Sequence, residues 1–406
     1  MTAASPPRVL MIAPQTFFTM AGTPINVRFM CRALGQLGYH VDLLTLPGGQ
    51  DVQEPGLSIH RTVRLPVGTV PVGFSMAKAL YNPVLMTHAS AMLARRRYTA
   101  VHAVEESAFW AIPLARLYDV PAICDLDSDL PGLLAAGSGA GRRLAGLARF
   151  LRRRALRGSA AIAAVVRPLA DLAREESPGV PVFEIADIPL DGAFDAPAPE
   201  AVQALRQRLD LTGSEVIAYT GNFDQRQGVE VLVEAMALLA PRRPNARLLL
   251  VGGHEGEVTA MRAHAASLGV ENLVRFAGRQ PPEQMSLYMG AADVLASPRL
   301  EPLITPLKIF TYMASGRPIV ATDLPTHTRV IDGNSAFLGE PTAKGLADAL
   351  ETALQDPGRA AERAAAACAL VQEKHSFARF KQEMAQLYAT ATGQRAPEWA
   401  TAPLNG

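Results

Sequence analysis

Cysteine is scarce in this chain, and the little there is does not pair. Cys31, Cys124 and Cys368 are the only thiols in 406 residues and share no ligand-like spacing. Neither a disulfide framework nor a cysteine zinc site is expected. The histidines (His40, His60, His88, His102, His254, His264, His327 and His375) show no two- or three-ligand spacing on one helix, so a zinc site of that kind is not expected either. His327 reads as a loop or packing residue. No apolar run approaches the roughly 18 residues that span a bilayer. The opening stretch MTAASPPRVLMIAP has no charged region followed by a long apolar core. These absences point to a cytoplasmic chain, free or attached to the inner face of a membrane.

Strong charge of one sign is also missing. The formal net charge is +1, with the basic excess before about residue 190 and the acidic excess after it. That excludes a general nucleic-acid binder and leaves room for a local basic patch. Three motifs are absent as well. The first strand is followed by QTFFTMAGTP, without G-x-G-x-x-G, which argues against a dinucleotide enzyme. Neither G-x-S-x-G nor G-x-x-x-x-G-K-[ST] occurs, which argues against hydrolase and P-loop chemistry.

What is present is an alternation of short apolar runs and helical stretches, the pattern of parallel-sheet α/β domains. The first half offers RVLMIAP, HVDLLTL, LSIHRTV, TAVHAV, PAICDLD, AAIAAVV and VPVFEIA as strands. The second half restarts with EVIAYTG, RLLLVGG, LVRFAG, DVLASP and PIVATD. The length suggests two domains. The Pro-, Gly- and Ala-rich segment 187–200 is the best linker, giving an N-terminal domain over 1–190 and a C-terminal one over 191–375. The expected fold is two Rossmann-like parallel sheets facing a cleft, where ligands of open α/β sheets bind. A loose tail is expected over 393–406.

Three strand-to-helix junctions suit an anion, because helix N-termini leave backbone N–H groups unpaired. The first is AGTP at 21–24, where Gly22 permits close backbone approach and Pro24 opens the helix. The second, TGNFDQRQGVEVL at 220–232, brackets a loop between Gly221 and Gly228. Both also read as plain tight turns. The third lies within SPRLEPLITPLKIFTYMASGRPIVATD, residues 297–323. There Thr305 is the expected N-cap, Pro306 the first helical residue and Gly316 the stop. Lys308 would add a full positive charge within one turn of the helix start.

These segments carry a resemblance. TPLKIFTYMASGRPIVATDLP is similar to the donor-site segment of the family 4 retaining glycosyltransferases, which have GT-B architecture. YTGNFDQRQGVEVLVEA resembles that family's glycine-plus-helix element, and LLLVGG, LVRFAG and YMGAADVLASP fall between them in the usual order. GTPINVRFMCRALGQLGYHVDLLTLP and YTAVHAVEESA resemble its acceptor domain. The likeness runs from about residue 7 to 390.

The resemblance implies transfer of a hexose-type unit from a nucleoside-diphosphate sugar to a hydroxyl, with retention and without a required cofactor or metal. It implies donor contacts from Gly22, Thr23, Gly221, Asn222, Arg226, Gln227, Gly253, Gly278, Arg279, Glu301, Thr305, Pro306, Leu307 and Thr311, with Lys308 as charge partner of the diphosphate. It also implies that the helix over about 376–392 crosses back onto the first domain. The acceptor could be a lipid-linked sugar, a polysaccharide or a small metabolite.

The chain departs from the family pattern at several of these positions. Thr311 stands where the second of two family glutamates is usual, and Leu303 where the first would be, with Glu301 nearby. Asn222 and Gln227 replace an Arg and a Lys, with Arg226 adjacent. In the acceptor domain Asp127 replaces a histidine, and Val104 replaces a second one, leaving Glu105 and Glu106. A carboxylate at Asp127 can take a proton from an acceptor hydroxyl or orient it, with Glu105 and Ser128 beside it as acceptor contacts; the same stretch also reads as a solvated acidic turn. Two rivals remain open: a GT-B nucleotide-sugar enzyme that is not a transferase, and a non-catalytic scaffold.

One more segment stands out. GRRLAGLARFLRRRALRG, 141–158, sets Leu144, Leu147 and Leu151 at helical spacing among seven arginines. It reads either as attachment to an anionic bilayer or as an ordinary surface helix; in both readings the leucines face the core.

Overall fold

The computed structural model describes residues 6–19, 21–67, 75–136 and 139–394. The chain divides into two compact units, Met1–Asp187 with Phe377–Gly406, and Ile188–Ser376. The expected tail falls almost wholly on residues outside those described.

The first unit holds β1 (Arg8–Thr16), β2 (His40–Leu46), β3 (Leu57–Arg61), β4 (Ala100–Val104), β5 (Ala122–Leu126), β6 (Ala161–Ala164) and β7 (Val182–Glu184). They form one parallel sheet in the order β3-β2-β1-β4-β5-β6-β7. Its centre is apolar on both faces: Val9, Leu10, Met11, Ile12 and Ala13 are all fully buried, as strands covered by helices on both sides require. The helix Gly22–Gln36 follows β1 and starts two residues before Pro24, with Ala21 as its N-cap. The helix Phe377–Thr392 packs on this unit through buried Phe380, Met384, Leu387 and Tyr388, against Gly22–Gln36, β4 and β6.

The second unit holds β8 (Glu215–Gly221), β9 (Ala246–Gly252), β10 (Val274–Gly278), β11 (Val294–Ser297), β12 (Ile319–Thr322) and β13 (Phe337–Gly339). Their order is β10-β9-β8-β11-β12-β13, again parallel. β13 was not expected; it is three residues long, too short to carry a periodic signal.

Both sheets share the order 3-2-1-4-5-6 from their own first strand, the first adding β7 beyond β6, so the strand order reverses between β1 and β4 and between β8 and β11. Ligands of doubly wound sheets bind beyond the carboxyl ends of the strands at such points. The residues of interest gather there.

The proposed linker is less loose than its composition suggests. Ile188 and Ala193 are buried, the helix Pro199–Arg208 already begins inside it, and the Leu190 N–H donates to the Thr311 hydroxyl at 3.2 Å.

Candidate active site

In the second unit, β8 and β11 end side by side and present one polar cluster. The Lys308 amino group donates to the Tyr219 hydroxyl at 2.5 Å and stands 3.8 Å from that ring's centroid. Tyr219 donates in turn to the Asn222 carbonyl at 2.6 Å, which shapes the exit of β8. The Thr220 N–H donates to the Tyr312 hydroxyl at 2.8 Å, so the helix bearing Lys308 also braces this turn. Burial, then the nearby Arg299 charge, pushes the Lys308 amine well below the ordinary lysine range. An incoming anion would reverse that.

Glycine is required here for contact as well as for conformation. Gly221 has φ 137°, and a Cβ on it would lie 2.7 Å from the Lys308 nitrogen. Gly228 has φ 70°, and its Cβ would lie 2.0 Å from the Pro298 carbonyl oxygen. The loop after β11 passes directly over it, held by a Leu300 N–H to Arg226 carbonyl bond of 2.9 Å.

The helix carrying Lys308 starts differently from the expectation. It spans Leu307–Ala314, with Pro306 as the N-cap and no side-chain cap. Pro306, with ψ 132°, is itself extended, so the helix begins one residue later than expected and Pro306 takes the cap position in place of Thr305. The Thr305 hydroxyl is buried without a partner among the described residues. Gly316, with φ 66°, does follow the last turn.

Several expected donor residues are engaged within the protein. Glu301 pairs with Arg299 at 2.9 Å and accepts the Leu303 and Ile304 N–H groups at 2.7 and 3.2 Å. Arg226 clasps Asp224 at 3.0 and 3.1 Å. Thr311 is buried and holds Leu190. Gly253 packs so that a Cβ would meet the Phe223 ring at 2.8 Å. Gly278, with φ 65°, has open space where a Cβ would be, and Arg279 is exposed. Asn222 is exposed, and the Gln227 side-chain oxygen is buried without a partner among the described residues. Arg299 and Tyr219 were not singled out in the sequence. An arginine between two prolines directly after an apolar strand was the available signal for the first.

His327 is a clip. Its Nδ1 lies 3.0 Å from the Thr322 carbonyl, which can only accept, so Nδ1 carries the hydrogen and Nε2 accepts from Ser297 Oγ at 2.8 Å. Burial holds its pKa down at about 4. It ties the end of β11 to β12, as a packing residue.

The first unit gathers carboxylates at the matching edge. Asp125 lies in β5, Asp127 and Ser128 just beyond it, Glu105 directly after β4, and Asp187 three residues after β7. Gln15, in β1, donates to Glu105 at 3.1 Å across the reversal in strand order. Lys78 lies 3.1 Å from Glu105 and 2.8 Å from Glu106. Both oxygens of Asp127 are buried without a hydrogen-bond partner among the described residues. Burial, then the charges of Asp125, Glu105 and Asp187, raises its pKa well above the usual carboxylate range; the Thr23 hydroxyl acts in the opposite direction without completing a bond of ordinary geometry. Burial and Asp125 raise Asp187 to about 7. Gly22 and Thr23 open the helix after β1; Gly22 is exposed and has open space where a Cβ would be. Asp129 is part of another group, with Arg152, whose guanidinium also binds Glu176 at 2.7 and 2.8 Å.

The helix Gly139–Gly158 overturns the expected placement of its leucines. Ala145, Ala148, Arg152, Ala155 and Leu156 are buried, while Leu144, Leu147 and Phe150 are 43, 56 and 60% exposed. The small alanines allow close packing on the neighbouring helices, and Arg152 is accommodated inside because two carboxylates neutralise it.

Residues 22–189 match the family described as Glycosyl transferase 4-like domain, and residues 214–356 match Glycosyl transferases group 1. A D-inositol 3-phosphate glycosyltransferase of Corynebacterium aurimucosum is 32% identical over 46% of this chain and 45% of its own length. The chain thus spans under half the length of that relative in the match. A phosphatidyl-myo-inositol mannosyltransferase of Mycolicibacterium smegmatis is 24% identical over 95% of this chain and 94% of its own. Among solved structures, a sucrose-phosphate synthase of Thermosynechococcus elongatus superposes with a TM-score of 0.79 at 22% identity, covering 95% of this chain and 99% of that one. That likeness confirms two parallel-sheet domains of GT-B type. The two family matches fall one on each sheet, in the order the motifs run, and the chain belongs to the glycosyl transferases group 1 family of GT-B glycosyltransferases.

Proposed function

We propose that the chain moves a sugar from a nucleoside-diphosphate donor to an acceptor hydroxyl, with retention of configuration. The observation that carries this reading is the Lys308 cluster at the β8–β11 reversal. A diphosphate placed there would meet the Lys308 amine and the unpaired N–H groups of the first turn at Leu307 and Lys308. Negative charge grows on the diphosphate as it leaves, and preorganised donors stabilise it best at that stage. The protein's own groups supply this stabilisation, so no metal ion is required.

On the acceptor side Asp127 takes or orients the proton of the attacking hydroxyl. Its raised pKa makes the ionised form a stronger base than an ordinary carboxylate. No protein nucleophile is assigned, and the attack proceeds on the face the diphosphate leaves. The readings as a non-transferase enzyme or a scaffold are set aside, since the relatives named above are transferases.

A second reading concerns location. The exposed Leu144, Leu147 and Phe150, set among Arg142, Arg143, Arg149, Arg153 and Arg154, form an apolar patch with a basic surround. Such a face suits the anionic inner surface of a bilayer. The Mycolicibacterium relative is named for phosphatidyl-myo-inositol, and a lipid-linked acceptor would be met at such a surface. No described helix is long and apolar enough to cross a membrane.

The test of the reaction is incubation with a panel of nucleotide sugars and hydroxyl acceptors, followed by NMR of the product's anomeric proton. Retained configuration supports the proposal; inversion, or donor consumption identical with and without acceptor, contradicts it.

A further inference from the structure

Two loop segments cross at the end of β8 and β11, and the crossing brings together two residues whose polar atoms are unused. The Leu300 N–H donates to the Arg226 carbonyl at 2.9 Å, and a Cβ on Gly228 would lie 2.0 Å from the Pro298 carbonyl oxygen. Residue 226 therefore faces 300 and residue 228 faces 298. The two stretches run in opposite directions, so Gln227 comes level with Arg299. The strand register fixes the depth of this crossing. Leu295 lies opposite Ala218, so three residues further on Pro298 reaches the level of Gly221. A Cβ on Gly221 would lie 2.7 Å from the Lys308 nitrogen. Arg299 and Gln227 thus flank the level at which the Lys308 amine sits.

Arg299 is under-used within the protein. Its side chain is 12% exposed, yet among the described residues its guanidinium makes one hydrogen bond, from Nη2 to Glu301 at 2.9 Å. Its Nε is buried without a partner among those residues. Arg152 of the first unit, also buried, is the contrast: Nε and both terminal nitrogens each donate to a carboxylate. A guanidinium carries five N–H groups in a fixed fork, and buried donors left unmet are costly. Gln227 has the opposite want, since its Oε1 is a buried acceptor without a partner among the described residues. One ligand closes both gaps if it accepts from the arginine and donates to the glutamine. Phosphate oxygens flanked by sugar hydroxyls do both. Arg226 offers no substitute, because it is clasped by Asp224 and its side chain is largely exposed.

We propose that Arg299 is a second basic contact for the leaving diphosphate, beside Lys308, with Gln227 accepting from a neighbouring hydroxyl of the same donor. The inference rests on the transferase reading for the identity of the ligand. Arg299 supplies positive charge where Asn222 and Gln227 carry none, from a position that no motif marked. Glu301 is then a positioning residue. The Leu303 and Ile304 N–H groups anchor it at 2.7 and 3.2 Å, and it holds one corner of the guanidinium while the rest of the fork is left for the ligand. The push of Arg299 on the Lys308 amine agrees with this placement: two basic groups are kept close together, and an anion between them relieves the repulsion. A fork of this kind matches phosphate oxygens better than a point charge does.

The experiment is a calorimetric titration of the full chain, as parent, Arg299→Gln and Lys308→Met, with UDP, GDP, ADP and TDP and with the four matching nucleosides. For the diphosphate that binds the parent, Arg299→Gln is expected to weaken binding about tenfold or more, while the matching nucleoside changes by less than about threefold, as loss of hydrogen bonds to a charged group implies. A displaced loop would weaken both probes together. Equal losses for diphosphate and nucleoside, or an unchanged diphosphate, therefore overturn the inference. Melting curves without ligand show whether the variant is folded. If Arg299→Gln does not fold, Arg299→Lys, which keeps the charge and loses the fork, is read by the same comparison. If Lys308→Met weakens the diphosphate and the Arg299 variant does not, only this inference falls. A parent that binds none of the four diphosphates removes the donor site, and this inference with it.

Discussion

The Lys308 amino group and the Tyr219 hydroxyl are joined by a 2.5 Å hydrogen bond, with the amine over the same ring at 3.8 Å from its centroid. An amine held this way is restrained in the free protein and available to an anion. Burial and Arg299 depress the amine's pKa; a bound diphosphate supplies the opposite charge and raises it. Nucleotide binding is therefore expected to take up a proton at any pH between the free and bound values. Calorimetry in two buffers of different ionisation enthalpy measures that uptake. Lys308→Met should abolish it and weaken the nucleotide by about tenfold or more, the loss of a hydrogen bond to a charged group.

Asp187 links the acceptor edge to stability. Its folded pKa is about 7, above the roughly 3.9 of an unfolded aspartate. The folded state thus binds the proton more tightly. The stabilisation is complete below the unfolded pKa and is lost as pH rises through about 7. Asp187→Asn removes that loss, so the variant should melt higher than the parent at pH 8 and show a smaller advantage at pH 5. Melting curves at the two values decide it.

Gly228 carries a tight crossing. Gly228→Ala meets both a φ of 70° and the Pro298 carbonyl, and a destabilisation of about 1–3 kcal/mol is expected from strain at such a position. Denaturant melts give the stability. Nucleotide affinity should fall with it, because the displaced loop carries Arg299 and Glu301.

The exposed face of Gly139–Gly158 predicts a separable effect. The Leu147→Glu, Phe150→Glu double variant should lose flotation with anionic vesicles while keeping transfer to a water-soluble acceptor. Raising the salt should weaken the parent's binding, since the arginines contribute through screened attraction.

Chelation gives a fifth check. With the leaving group stabilised by Lys308 and backbone N–H groups, transfer should proceed at an unchanged rate after EDTA treatment and dialysis.

Much of the fold was legible because it is written in short apolar runs. Seven such runs became β1 to β7, and five became β8 to β12; only the three-residue β13 lacked a readable pattern. The site was less legible. Lys308 stood out by its place near a helix start, but Thr305 could not be denied the cap without the extended Pro306. The leucines of 141–158 misled because helical spacing does not say which face turns inward; Ala145, Ala148 and Ala155 took the packing position. Asp187 was hidden in a segment read for its prolines and glycines, because its proximity to Asp125 is a property of strand order. Fold information of that kind is not local to any motif.

The most direct measurement is a thermal-shift series with UDP, GDP, ADP and TDP on the parent chain and Lys308→Met. One nucleotide at about a hundred times its dissociation constant should stabilise the parent by roughly 2.7 kcal/mol, and the same concentration should leave the variant with a clearly smaller shift. No response to any of the four in the parent, or an equal response in both proteins, would contradict the assignment of the donor site to the Lys308 cluster.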